Sequence, residues 1–375
     1  MEQSTMARVL GKARRWAATL ALLAGFVLFV MWGLGKAFTD RFIITQGLSW
    51  ILSQYAVIGL LLLVLARWIL ARREATPAKA RIKFVGSGTS LLVAMAVVVL
   101  GYLLVLDWRM WRIAFPAAPG EESQRVRVLV WNIGYVRTPG LAQKVKELEP
   151  DVIALTNAHI TTDWVGVREA MGRGGPTYTA QQGWFTLISR YPIIRHGWVP
   201  LAVSPATWRP FGLIPVRWTS SGGECSFFEI AHPAHPRPFV AWFNDMPSDP
   251  LIHRWVAMGQ ADSATSRFRG PILYRGPDGL DTSRTPPETG FPEPDLIGGD
   301  FNTPRRAGSI DRFVRGLTHA YDQASWGPTG SFPRTWPLTH IDHIYVGNGL
   351  RATKYEIVDL GIGRHRAQIA DVVPK

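Results

Sequence analysis

The sequence predicts a membrane anchor of three helices, followed by an α+β domain in which helices cover a sandwich of sheets. Three observations lead there. Residues 16–35, 42–66 and 84–106 carry no charged side chain, and each run is long enough to cross a hydrocarbon core of about 30 Å at about 1.5 Å per helical residue. Beyond them, short apolar runs alternate with turn residues and outnumber the helical stretches. Finally, the 375-residue chain is 47% hydrophobic and 18% charged, which excludes a disordered polymer, and its one cysteine, Cys225, excludes an internal disulfide framework.

The net charge of +13 is unevenly placed. Twelve basic and three acidic residues precede position 107, a surplus of nine, whereas 29 basic and 25 acidic residues follow, a surplus of four. Charge gathered between apolar runs points to membrane topology rather than to nucleic acid. Arg8, Lys12, Arg14 and Arg15 precede the first run. Arg67, Arg72, Arg73, Lys79, Arg81 and Lys83 separate the second from the third, while the first link holds Lys36 and Arg41 against Asp40. By the positive-inside rule the N-terminus and the second link are cytoplasmic, and three crossings put residues 108–375 outside. A signal peptide fits the first run less well, because its apolar length exceeds about 7–15 residues. The expectation is a multi-pass protein of the plasma (inner) membrane, with residues 1–107 as anchor and the bilayer as partner. Trp108 and Trp111 fall where interfacial aromatics sit, a position that packing against the domain would explain equally well.

Within residues 108–375, strands are predicted at 126–131, 152–155, 184–188, 227–230, 239–243, 296–297, 341–346 and 367–373, and helices at 141–148, 251–266 and 310–317. Residues 270–294, rich in Pro, Gly and Asp, read as a long loop. There is no internal repeat.

Six ordered fragments carry the chemistry: Val128-Leu-Val-Trp-Asn-Ile-Gly134, Pro150-Asp-Val-Ile-Ala-Leu-Thr-Asn157, Ser189-Arg-Tyr-Pro-Ile193, Gly299-Asp-Phe-Asn302, Ile341-Asp-His-Ile344 and Gly363-Arg-His365. In this order they resemble the endonuclease/exonuclease/phosphatase superfamily of metal-dependent phosphoesterases. The resemblance spans nearly the whole domain and implies a four-layer α/β/β/α sandwich with the fragments around one cleft. It implies that Asp300 orients or deprotonates the attacking water and that Asn302 helps hold the phosphoryl oxygens. Asp342 would orient His365, His365 would contact the scissile phosphate, and Asn132 would support the site. Independently of the family, a phosphate ester needs an activated water, charge neutralisation and a positioned acid or base, which carboxylates, amides and an imidazole supply. The plainer readings are an Asx turn at Asp300 and Asn302, a surface pair at Asp342 and His343, and a terminal histidine at His365. His232 and His235, set among prolines, read as an exposed loop outside the site.

The chain departs from the pattern at three places. Asn157 stands where the family has a metal-binding glutamate, Arg364 where it has an aspartate, and Asp245 where many members have a histidine. Arginine cannot ligate a metal and an amide is a poorer ligand than a carboxylate. Asn157, Asp245 and Arg364 are therefore expected to face the substrate, with Arg364 taking over part of the cation's role and Asp300, helped by Asp245, left to hold any Mg²⁺ or Mn²⁺. The plainer reading is that Arg364 points to solvent or pairs with a surface acid. The reading is a membrane-tethered phosphoric-ester hydrolase acting outside the cytoplasm on a phosphorylated small molecule or envelope lipid. Its alternatives are a catalytically silent phosphate-binding module and an external nuclease. No specific nucleic-acid partner is expected, since the domain lacks a basic excess.

Overall fold

The computed structural model describes residues 2–72, 87–201, 222–249, 252–276, 279, 281–285 and 289–375. They form two compact units, Met1–Met110 and Trp111–Lys375.

The first unit is helical: α1 (Glu2–Phe38), α2 (Ile43–Ser49), α3 (Ser53–Arg72) and α4 (Ser87–Tyr102), the last continued by a π turn at Leu103–Asp107. Three segments are long and apolar enough to cross a membrane: Val9–Phe38, Ser53–Leu70 and Gly88–Asp107. The second begins at Ser53, inside the expected 42–66 run rather than at its start. That run is broken because α2 folds back against the end of α1, where Gly35 lies so close to the Leu48 carbonyl that a Cβ would fall 2.3 Å from its oxygen. The Ser49 hydroxyl donates back to the Gln46 carbonyl at 2.7 Å at the end of this short helix. Trp32, Leu60, Leu92 and Val99 pack between the helices, while Leu62 and Val97 stay exposed on outer faces, the distribution a lipid solvent favours. The basic link at 73–86 lies outside the described residues.

The second unit is an α+β sandwich of four layers. One sheet has six strands in the order β13-β14-β1-β2-β4-β3, formed by β1 (Val126–Asn132), β2 (Val152–Thr156), β3 (Tyr178–Gln182), β4 (Phe185–Ser189), β13 (Leu350–Val358) and β14 (Ala367–Pro374). The other has eight in the order β11-β12-β10-β7-β6-β5-β8-β9. Its strands are β5 (Ile193–Pro200), β6 (Glu224–Ile230), β7 (Phe239–Asp245), β8 (Ile272–Arg275), β9 (Asp281–Arg284), β10 (Leu296–Asp300), β11 (Thr318–His319) and β12 (Asp342–Val346).

Period-two alternation builds the layers. Val128 and Val130 of β1 face Phe243 and Ile344 of the opposite sheet, whereas Leu129 and Trp131 face outward. There they meet α5 (Leu141–Leu148) and α6 (Trp164–Gly172). Trp242 of β7 packs in the same way toward α7 (Arg254–Ser266). A short α8 (Ala320–Ala324) contributes Ala320 and Tyr321 to the inter-sheet core.

Two expected elements differ. Instead of a helix over 310–317 there is only a 3₁₀ turn at Ile310–Arg312, because Arg315 and Gly316 adopt left-handed φ of 53° and 78° and turn the chain away. Residues 270–294 contain the β8–β9 hairpin, in which the short apolar β8 pairs with a polar, exposed β9 that carries no apolar alternation, and the two are joined by an Arg275–Asp281 ion pair at 2.9 Å. Residues 250–251, at the start of the expected 251–266 helix, lie outside the described residues.

Gly299 fits β10 to β7. Its φ is 140°, and a Cβ there would fall 2.0 Å from the Asn244 carbonyl oxygen, so the residue before Asp300 has room for no side chain.

Candidate active site

Topology brings the fragments to one edge. β1 and β2 run parallel, as do β7 and β10, so Asn132, Asn157, Asp245 and Asp300 all lie at strand C-terminal ends. β12 is antiparallel to β10 and β14 to β1, which returns Asp342 at a strand start, and His365 just before one, to the same edge. The six residues are buried.

Asp300 is the hub. Its Oδ2 accepts from Asn132 Nδ2 at 2.9 Å and its Oδ1 from the Asn302 backbone N–H at 2.8 Å. The second bond is the Asx turn expected as the plainer reading, so turn and site are one structure. Asn302 (φ 47°) donates its side-chain amide to the Met246 carbonyl at 2.7 Å. The left-handed conformation it needs is one that asparagine tolerates well. Nδ1 of His365 donates to Asp342 at 3.0 Å and lies 3.8 Å from Asp300 Oδ2. The ring stacks at a tilt on Phe332, 4.6 Å between centroids, and Trp131 Nε1 donates to the His365 carbonyl at 2.9 Å. Ser331 Oγ accepts from the Asp342 backbone N–H at 3.2 Å.

Burial opposes protonation of His365, but Asp342, Asp300 and Asp245 outweigh it and raise its pKa to about 9. Asp300 is raised by burial and then by the charge of Asp342, and Asp245 by burial and then by the charge of Asp300. Three carboxylates with one imidazolium leave the cluster short of positive charge.

The altered positions behave differently from one another. Asn157 (φ 57°) donates Nδ2 to Asp245 Oδ2 at 2.9 Å and to Asn132 Oδ1 at 3.1 Å, so it and Asp245 are part of the cluster. Arg364 is exposed; its aliphatic stem covers Gly134, whose N–H donates to Asn132 Oδ1 at 3.0 Å. Its guanidinium forms no ion pair with Asp245, Asp300 or Asp342, and its exposure is that of the plainer, solvent-facing reading. His232 is buried under Tyr191 rather than exposed, and His235 donates to the Gln124 carbonyl at 2.8 Å.

Sequence reasoning missed Glu224, the register partner of Asp245. Its Oε2 accepts from the Trp184 N–H at 3.0 Å and from Trp198 Nε1 at 2.8 Å. Burial, then the charges of Asp245 and Glu224, push up the pKa of the Tyr135 phenol. A glutamate opening a strand gives no signal in the chain alone. Behind the site, His319, His340 and His343 form a buried group within reach of one ion. Their hydrogen bonds give them another role. The Tyr321 N–H donates to His319 Nδ1 at 3.0 Å, so His319 carries its proton on Nε2, 3.1 Å from His343 Nδ1, and His343 Nε2 donates to the Thr303 carbonyl at 2.9 Å. The relay ends one residue beyond Asn302 and braces that loop.

The chain matches the profile of the "Endonuclease/Exonuclease/phosphatase family" over residues 129–365. It belongs to this family. Members of the endonuclease/exonuclease/phosphatase family hydrolyse phosphoester bonds and typically bind divalent metals. Among solved structures, the chain is similar to a family protein from Bacteroides thetaiotaomicron with 14% identity and a TM-score of 0.46, covering 67% of this chain and 98% of that one. It is similar to a mannosyl-6-phosphatase of the same organism with 14% identity and a TM-score of 0.44, covering 66% and 99%. The catalytic domain of human Nocturnin gives 13% and 0.43, covering 67% and 95%. No curated protein matches.

The family's divalent ion suits this donor set. Carboxylates that burial, and then mutual repulsion, push toward the protonated form are hard oxygen donors for such a cation, whose charge would let them ionise. Asp245 would hold it, with Asp300 as its register neighbour on β10.

Proposed function

We propose that this chain is a membrane-tethered phosphoric-ester hydrolase that works on the extracytoplasmic side, on envelope lipid phosphates. The observation that carries the reading is the Asp342–His365 pair beside Asp300, at 3.0 Å and 3.8 Å. With a pKa of about 9, His365 is an imidazolium at neutral pH and presents positive charge to a phosphate oxygen or a proton to the leaving group. Asp300, held by Asn132 and Asn302, has the raised proton affinity a general base for water requires. A divalent ion, when bound, neutralises non-bridging oxygens and acidifies a water. Arg364, exposed beside the cluster, offers a fork to a second phosphate oxygen.

The apolar helices favour a substrate that shares the bilayer, and the small charge surplus of residues 108–375 argues against a nucleic acid. Extracytoplasmic placement rests on the arginines and lysines around the helices. Asn157 and Arg364 favour a second reading, a silent phosphate-binding module. The deciding assay uses the full chain in detergent against phosphomonoester, phosphodiester and polyprenyl pyrophosphate, with and without Mg²⁺ or Mn²⁺, beside Asp300→Ala. Hydrolysis lost in Asp300→Ala supports the enzyme; phosphate binding without turnover supports the module. A reporter fused after Lys375 should be active only outside the cytoplasm, and activity inside would end the envelope-substrate reading.

A further inference from the structure

Four acids stand side by side across the larger sheet. Glu224, Asp245, Asp300 and Asp342 are consecutive register partners on β6, β7, β10 and β12. Directly opposed residues place their side chains on one face with Cβ atoms about 4.5–5.5 Å apart. At one end of the row, Asp342 and Asp300 are served by His365 and Asn132. Among the described residues, the other end has no such cationic partner.

At that other end, Glu224 is fixed by Trp184 and Trp198 through one oxygen, and its Oε1 accepts no hydrogen bond among the described residues. Asn157 reaches Asp245 from the smaller sheet. Its Nδ2 is held between Asp245 Oδ2 and Asn132 Oδ1, at 2.9 Å and 3.1 Å. Turning the amide over would set its oxygen against those two oxygens, so this orientation is the favoured one. It leaves Oδ1 of Asn157 buried with no donor among the described residues, in a residue only 7% exposed. Buried acceptors are rarely left unpaired, and an unpaired one costs stability. The Asn157 backbone N–H meets the Trp184 carbonyl at 3.3 Å, and the Trp184 N–H holds Glu224. The orphaned oxygen, Asp245 and Glu224 thus belong to one small neighbourhood. Carboxylate and amide oxygens together are ligands for a hard divalent cation.

We propose that Asp245, Glu224 and Oδ1 of Asn157 hold a divalent cation, displaced along the acid row from Asp342 and His365. The carboxylate absent at position 157 is replaced by Glu224 from the opposite sheet. The site lies in the cleft of the proposed hydrolase, but ion binding needs no substrate, so failure here and failure of the hydrolytic reading are separate results.

The test is Mn²⁺ binding to the full chain in detergent micelles, read from the paramagnetic resonance of free Mn²⁺ without substrate. Glu224→Gln and Asp245→Asn should each weaken binding by about tenfold or more, and Asp342→Asn by less than about twofold. Asn157→Asp should tighten binding and restore it in Glu224→Gln, a gain that misfolding cannot imitate. The proposal is overturned if wild type binds no Mn²⁺ at millimolar concentration. It is equally overturned if Asp342→Asn weakens binding as much as Glu224→Gln, or if Asn157→Asp leaves affinity unchanged.

Discussion

Asp300 and Asp342 face each other as register partners on β10 and β12, and both carboxylates approach the same Nδ1 of His365, at 3.8 Å and 3.0 Å. Two acids that repel each other thus share one imidazole, and the pair nearer in distance fixes its tautomer. Asp300 keeps its other oxygen for the Asn302 turn, so it is Asp342 that orients and charges the ring.

Asp342→Asn should therefore lower kcat by roughly 10²–10⁴ with little change in KM. His365 is held protonated up to about pH 9, so the rate should fall as pH rises through that value. In Asp342→Asn this alkaline limb should move down toward the ordinary histidine range. A pH–rate profile unchanged by the substitution would remove His365 from the reaction.

Stability should fall in mild acid. Burial, chiefly, lowers the pKa of His343 to about 4. The unfolded chain takes up this proton near pH 6.5, so between 6.5 and 4 it binds more protons than the folded chain, and stability is lost as pH falls. At about 1.36 kcal/mol per unit the residue contributes up to roughly 3 kcal/mol of that loss. Unfolding followed by tryptophan fluorescence should show a shallower acid slope for His343→Gln than for wild type.

Two neighbouring glycines should respond unequally. Gly299→Ala forces a Cβ to 2.0 Å from a backbone oxygen of β7, whereas Gly298→Ala meets side chains, Val130 at 3.0 Å and Phe243 at 3.4 Å. Gly299→Ala should cost more than about 2 kcal/mol and abolish activity, and Gly298→Ala distinctly less. Equal losses in denaturant titrations would contradict the tight β7–β10 approach.

Arg364→Ala should raise KM for an anionic substrate by about three- to tenfold and leave kcat nearly unchanged, since the guanidinium lies outside the carboxylate cluster. EDTA should abolish activity in both proteins. Activity that survives EDTA and collapses in Arg364→Ala would instead make the guanidinium a substitute for the cation.

Much of the architecture was legible because burial is periodic. The apolar runs of β1, β2, β7 and β14 are buried on both faces, and such strands announce themselves without context. β3, β9 and most of β13 mix polar and exposed residues, so only pairing with a neighbour makes them strands. The expected helix at 310–317 had apolar spacing, but its end is set by the local backbone at Arg315 and Gly316.

The sequence by itself determined the three apolar helices, the charge bias around them, the alternating strands and the identities of Asn132, Asp300, Asn302, Asp342 and His365. Local composition and motif order are enough for these, because each depends on residues near in the chain. Only the tertiary structure decided that Glu224 joins the acid row, that Asn157 leaves an orphaned oxygen beside Asp245, and that Arg364 rests on Gly134 outside the cluster. Those relations arise where strands remote in sequence are set about 4.8 Å apart by their hydrogen bonds. Charge repulsion and unmet hydrogen bonding come into being only at that distance.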